Sequence, residues 1–204
     1  MNKTTTSEEV GEKFGTHAKG KYVIVTGGSG GLGFETARVL CKHGAHVQIT
    51  CRTTAQGEEM ITKIKKDDPE ASISYGTMDL TDLDSVKAFS KQYIESGKPL
   101  NILINNAGVM ACDKTKTKNG FEMQLGVNHI GHFVLTKLLL PLLSSSGTTD
   151  SKSRVINISS VGNWLYGEIL WDDFNGDKAY NKWQRYFDFY FFLKSSYCVA
   201  GIQI

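Results

Sequence analysis

Apolar residues in this chain of 204 residues fall into short runs, separated by longer stretches with helical spacing. Tyr22-Val23-Ile24-Val25 is the first run; it ends in glycines and reads as a buried strand. From Leu32 to His43, the residues Leu32, Ala37, Val39, Leu40 and Cys41 predict a helix, with Gly44 placed to terminate it. Val47 to Thr50 predicts a second strand and Ala55 to Lys66 a second helix. Ile73 to Tyr75 predicts a third strand. A helix over about Asp82 to Glu95 would bury Val86, Phe89 and Ile94 on one face. Leu100 to Ile104 predicts a fourth strand, Phe121 to Leu143 a long buried helix, and Val155 to Ile158 a fifth strand.

Strands alternating with helices need crossover connections, so the strands run parallel and helices cover both faces. Right-handed crossovers then give an α/β fold: a Rossmann-type, doubly wound parallel sheet of about five strands. Residues 1–18 are polar and lack an apolar signal-peptide core, so they read as a leader preceding a single domain over 19–204. No unbroken apolar run reaches ~18 residues, so no membrane span is expected.

Composition narrows the chemistry. Hydrophobic residues make up 40% and charged residues 22%, which fits a packed globule. A net charge of +2 gives no field strong enough to argue for nucleic acid as a partner. Cys41, Cys51, Cys112 and Cys198 lie far apart, without metal-ligand spacing, and read as buried reduced thiols. No metal site is expected, and a cytoplasmic location is.

The 21 glycines concentrate attention on Thr26-Gly27-Gly28-Ser29-Gly30-Gly31-Leu32-Gly33, between the first strand and first helix. Glycines there let the backbone approach a ligand, and the helix N-terminus behind them attracts a pyrophosphate. The segment parses as G-x-G-x-x-G through Gly28, Gly30 and Gly33, or as T-G-x3-G-x-G through Gly27, Gly31 and Gly33. The second strand ends in Thr50-Cys51-Arg52-Thr53, without the carboxylate that would bind a ribose 2′-hydroxyl. Arg52 suits a 2′-phosphate, so NADP(H) is preferred and NAD(H) is the alternative.

Further motifs follow in order: Asn105-Asn106-Ala107-Gly108, then Val127-Asn128-His129-Ile130-Gly131-His132-Phe133, then Asn157-Ile158-Ser159-Ser160. With the glycine loop, these resemble the short-chain dehydrogenase/reductase family over about residues 19–186. The resemblance is closer to its retinol-dehydrogenase-like and WW-domain-oxidoreductase-like branch, through Gly33-Phe34-Glu35-Thr36, Cys51-Arg52, 104–110 and 126–133. It implies that Gly27, Ser29, Gly31, Leu32 and Gly33 cradle the pyrophosphate. It implies that Asp79 and Leu80 face the adenine; the residues alone also allow Asp79 as a helix cap. Asn106, Ala107 and Gly108 would line the riboses. His129 and His132 read as packing or surface residues.

The family's chemistry is hydride transfer between a nicotinamide and a carbonyl or alcohol. It uses a serine, a tyrosine, a lysine four residues after that tyrosine, and an asparagine that helps hold the lysine. Ser160 matches the serine and Asn128 the asparagine. Tyr186 is the candidate tyrosine, but the lysine position holds Tyr190. Tyr190 with Lys194 is a second parse; a third reading makes neither catalytic. Eight aromatics crowd residues 183–197, unlike the family's helix there. The family pattern also has two further strands and a substrate loop, which the sequence up to Ile204 does not contain, so the domain is expected to be incomplete at its C-terminal end. The fifth strand would then be an edge unless the tail covers it. The expected function is an NADP(H)-dependent oxidoreductase acting on a small, lipophilic carbonyl or alcohol, in a chain that admits homo-oligomers. The alternatives are a dinucleotide-binding protein without catalysis and an altered, non-functional variant.

Overall fold

A computed structural model describes residues 4–160, 171–187 and 202–203. The strands are β1 (Tyr22–Val25), β2 (His46–Cys51), β3 (Ile73–Thr77), β4 (Ile102–Asn105), β5 (Arg154–Asn157) and β6 (Ile202–Gln203). They form one sheet in the order β3-β2-β1-β4-β5-β6. The first five strands are parallel, as their apolar runs predict. β6 pairs antiparallel with β5, opposite Arg154 and Val155, so the expected open edge is covered there.

Alternation along the strands divides the core in two. Val23, Val25, Val47 and Ile49 face α2 (Gly31–Lys42) and α3 (Thr54–Asp67), which contribute Ala37, Met60 and Ile64. Ile24, Leu103 and Val155 face the opposite side, where α4 (Leu83–Glu95) supplies Val86, Phe89 and Tyr93. Ile94, expected in that face, is 45% exposed; Tyr93 takes the inward position one residue earlier. Gly44 follows α2 with a φ of 80°, the left-handed backbone its position predicts.

Two expectations need correction. The polar leader folds as α1 (Ser7–Phe14), followed by a 3-10 turn over Gly15–Ala18. Thr6 and Glu9 form a capping box, and Glu8 pairs with Arg38 at 2.6 Å and Lys42 at 2.7 Å. Gly11 and Gly15 face the ring of His43 so closely that a Cβ at either would strike it. Charge pairing and backbone contact, rather than an apolar stripe, therefore seat α1 on α2.

The long helix predicted over 121–143 is continuous from Met123 to Ser146 but changes pitch. It comprises α5 (Met123–Leu125), a π-helical segment over Gly126–Gly131, and α6 (His132–Ser146). Leu135, Leu139 and Leu143 recur every four residues and pack into the α4 side of the core. By length and composition this helix could cross a bilayer, although no unbroken apolar run within it reaches ~18 residues. Polar residues such as Asn128 and His132 interrupt the run without lowering its average enough. Half of its most apolar stretch is buried within the protein, as a core helix would be.

Candidate functional site

From β1 the chain winds outward to β2 and β3, then returns to place β4 on the other side of β1. Loops leaving β1 and β4 thus diverge and open a crevice at the carboxyl ends of the strands. A cavity of about 480 Å³ lies there. Gly27, Ser29, Leu32, Gly33, Arg52, Asp79, Leu80, Asn106, Ala107 and Gly108 all line it, so ten of the eleven nucleotide candidates converge. The eleventh, Gly31, opens α2 beside them. Sequence reasoning missed Thr50, Met78 and Val127 in the wall. The first two flank predicted strand-end residues; Val127 precedes Asn128.

The glycine loop follows the T-G-x3-G-x-G parse. Gly27 has a φ of 70°, and a Cβ there would press on the backbone of Ala107. A Cβ at Gly33 would strike the Gly27 carbonyl and the Asn106 carboxamide. These glycines let the loop, α2 and the turn after β4 close on one another. The N-terminus of α2 faces the same region, where its unpaired N–H groups favour an anion.

Buried hydrogen bonds fix the turn after β4. Thr26 Oγ1 accepts from the backbone N–H of Asn106 at 2.9 Å and of Ala107 at 3.0 Å. Asn106 Nδ2 donates to the Thr26 carbonyl at 2.9 Å. Further along, Asn128 Oδ1 accepts from Val109 N–H at 2.8 Å, while its Nδ2 donates to the Val109 carbonyl at 2.9 Å. The Asn128 side chain is therefore engaged in holding the cavity wall. His132 is buried, with Nε2 2.8 Å from Thr26 Oγ1 and Nδ1 3.0 Å from the Asn128 carbonyl. Burial lowers its pKa to about 4. His129 is lowered to about 4 for the same reason. Both imidazoles are therefore neutral at ordinary pH.

At the other end of the cavity, Arg52 is exposed beside Thr53, whose hydroxyl caps α3 by accepting from Gln56 N–H. No described carboxylate pairs with Arg52. Asp79 is half-buried; its Oδ1 accepts from Thr81 N–H at 2.9 Å. The cap of α4 is Asp82, so Asp79 does not serve that role.

Among the described residues, the catalytic candidates Asn128, Ser160 and Tyr186 do not line this cavity. Ser160 lies just after β5, at the same end of the sheet. Tyr186 sits in a helical stretch over 182–187 and packs against Leu125. Tyr190, Lys194 and Cys198 lie outside the described residues. Burial pushes the Cys41 thiol up to about 12 and raises that of Cys51, so neither is an activated nucleophile. Cys112 is only half-buried, against expectation.

Residues not singled out from the sequence hold Tyr186 in place. Arg185 Nη2 donates to Asp173 Oδ2 at 2.6 Å and to the Ala179 carbonyl at 2.9 Å. Its Nη1 donates to the Asp173 carbonyl at 2.7 Å. Gln124 accepts from the N–H of Ala111 at 2.8 Å and donates to the Lys182 carbonyl at 2.9 Å. Ala111 has a φ of 48°, a strained value for a side-chain-bearing residue. Gln124 thus ties that turn to the segment carrying Tyr186. No local sequence signal marks these pairings, because the partners lie 13 and 58 residues away.

Comparison with known proteins agrees with this architecture. The family model for short chain dehydrogenase matches residues 21–171. Retinol dehydrogenase 12 of Bos taurus is 46% identical over 162 residues, covering 79% of this chain and 50% of its own length. Retinol dehydrogenase 12 of Homo sapiens is 44% identical over 163 residues, covering 80% of this chain and 50% of its own. The chain spans about half the length of these curated relatives. Among solved structures, an uncharacterized protein from Mycobacterium paratuberculosis superposes with a TM-score of 0.72 at 36% identity, covering 84% of this chain and 58% of that one. The Pseudomonas aeruginosa RhlG/NADP active-site complex superposes with a TM-score of 0.67 at 26% identity, covering 87% and 65%. The chain belongs to the short-chain dehydrogenase/reductase family, in its retinol-dehydrogenase-like branch.

Proposed function

We propose that this chain binds NADP(H) and serves hydride transfer between the nicotinamide and a lipophilic carbonyl or alcohol. The observation that carries this reading is the convergence of ten nucleotide candidates on one cavity at the topological switch point. The glycine cradle and the α2 N-terminus fit a pyrophosphate, and Arg52 fits a 2′-phosphate at the adenosine end. When bound, the nicotinamide supplies or accepts the hydride. Asn106, Ala107 and Gly108 would line the riboses, with Asp79 and Leu80 toward the adenine. Ser160 would donate a hydrogen bond to the substrate oxygen and Tyr186 would exchange a proton with it. Met110, two residues beyond Gly108, is 60% exposed. This exposed apolar side chain near the turn after β4, together with retinol dehydrogenase relatives, supports a lipophilic substrate.

A second reading, dinucleotide binding without turnover, draws on one observation: Tyr190 stands four residues after Tyr186, where the family pattern has lysine. Titration with NADPH and NADH, then turnover on a panel of retinoid and alkyl aldehydes, separates the two. The enzymatic reading requires turnover that Ser160→Ala abolishes; binding without turnover supports the second. Arg52→Ala should weaken NADPH at least about tenfold while leaving NADH little changed. Equal effects on both would defeat the 2′-phosphate assignment.

A further inference from the structure

His132 occupies an unusual place for a buried histidine: it ties its own helix, at Asn128, to Thr26 in the loop after β1, and through Thr26 to the turn after β4, without lining the cavity itself. Its Nδ1 faces the Asn128 carbonyl, which can only accept, so Nδ1 carries the proton. Nε2 is then an acceptor, and the Thr26 hydroxyl, at 2.8 Å, must donate to it. The alternative acceptor for that hydroxyl, the Ile104 carbonyl, is at 3.4 Å. With its proton committed to His132, Thr26 Oγ1 has two lone pairs left. Both are directed to N–H groups, those of Asn106 and Ala107. Every member of this chain of bonds is satisfied, and Thr26 and His132 are both buried.

We propose that His132 is a positioning residue for the dinucleotide: by fixing the Thr26 hydroxyl, it locks the Asn106–Ala107 turn against the glycine loop in the conformation that binds the cofactor. This inference rests on the proposed nucleotide function and deepens it. The tautomer it demands is the one with hydrogen on Nδ1, which an unconstrained imidazole does not favour. A Gln side chain reaches about as far as Nε2 and can accept from Thr26, whereas Asn reaches only as far as Nδ1. A Phe keeps the ring and removes both bonds.

The test measures NADPH affinity and Tm together on the full chain for His132→Gln, His132→Asn and His132→Phe. His132→Gln should stay within about threefold of the wild type, while His132→Asn and His132→Phe should weaken binding about tenfold, the worth of one buried hydrogen bond. A lowered Tm with unchanged affinity in all three would make His132 merely structural and overturn the proposal. Equal losses for His132→Gln and His132→Asn would overturn it too. Should the variants not fold, the ring-nitrogen spectrum of the wild-type protein decides. A neutral His132 protonated on Nδ1, whose Nε2 resonance moves on saturation with NADPH, supports the proposal; protonation on Nε2, or no movement, contradicts it. A wild type that binds neither NADPH nor NADH would refute the functional reading itself, before any variant is compared.

Discussion

Asn128 grips both polar atoms of Val109 at once, accepting from its N–H at 2.8 Å and donating to its carbonyl at 2.9 Å. The pair spans the π-helical segment and the cavity wall, so the helix that interrupts its pitch at Gly126–Gly131 aims this carboxamide at the loop after β4. Asn128→Ala leaves both Val109 groups without their partner. The expected cost is about 1–3 kcal/mol of stability, measured by urea unfolding, with weaker dinucleotide binding. An Asn128→Ala protein of wild-type stability would show that this clasp contributes nothing.

Acid should unfold the protein through its histidines before its carboxylates. Burial lowers His132 and His129 to about 4, against about 6.5 in an unfolded chain. Between those values the unfolded state binds more protons, so stability is full above about pH 6.5 and declines as pH falls toward 4. Glu35 and Asp173, lowered to about 2 by the Arg38 hydrogen bond and by backbone N–H groups led by that of Lys178, should contribute losses only at lower pH. Urea midpoints at pH 7.5, 6 and 5 should therefore fall, and less steeply in His132→Gln. A midpoint constant across that range would contradict the assignment.

Gly33→Val tests the closeness of loop and helix. Its side chain would meet the Gly27 carbonyl and the Asn106 carboxamide, both backed by β-strand ends. Overpacking of this kind costs about 1–3 kcal/mol. NADPH binding should be lost at concentrations that saturate the wild type. Retained affinity would mean that the loop does not form the proposed cradle.

Arg185 and Asp173 offer an asymmetric pair of variants. Arg185→Ala removes three donated bonds and leaves Asp173 facing only backbone N–H groups. Asp173→Asn keeps an oxygen for those N–H groups. The first should lower Tm by several degrees and expose the 171–187 segment to protease, and the second should do so less. Equal tolerance of both would show that the ion pair does not anchor Tyr186.

Much of this could be read from residue order. β1 declared itself because Val23, Ile24 and Val25 are buried from both faces, and the glycine loop because its conformational demands fall on Gly27 and Gly33. α1 escaped notice because it lacks an apolar stripe; Glu8 must find Arg38 and Lys42 on α2, which spacing within α1 cannot reveal. The π-helical segment was illegible for a related reason. Its register change serves Asn128 and His132, whose partners Val109 and Thr26 lie 19 and 106 residues away. Tyr186 was located by its place in a motif, but the bonds that hold its segment are polar and follow no periodic spacing: Arg185 reaches Asp173 and Ala179 within an irregular loop, and Gln124 reaches Lys182 from 58 residues away.

The central claim is dinucleotide binding at the switch-point cavity, and thermal unfolding with and without cofactor tests it most directly. NADPH at 100 times its Kd should stabilise the chain by about 2.7 kcal/mol, a rise in Tm of roughly 5–10 °C, with a smaller rise for NADH at the same concentration. An unchanged Tm with both cofactors at millimolar concentration would contradict the account.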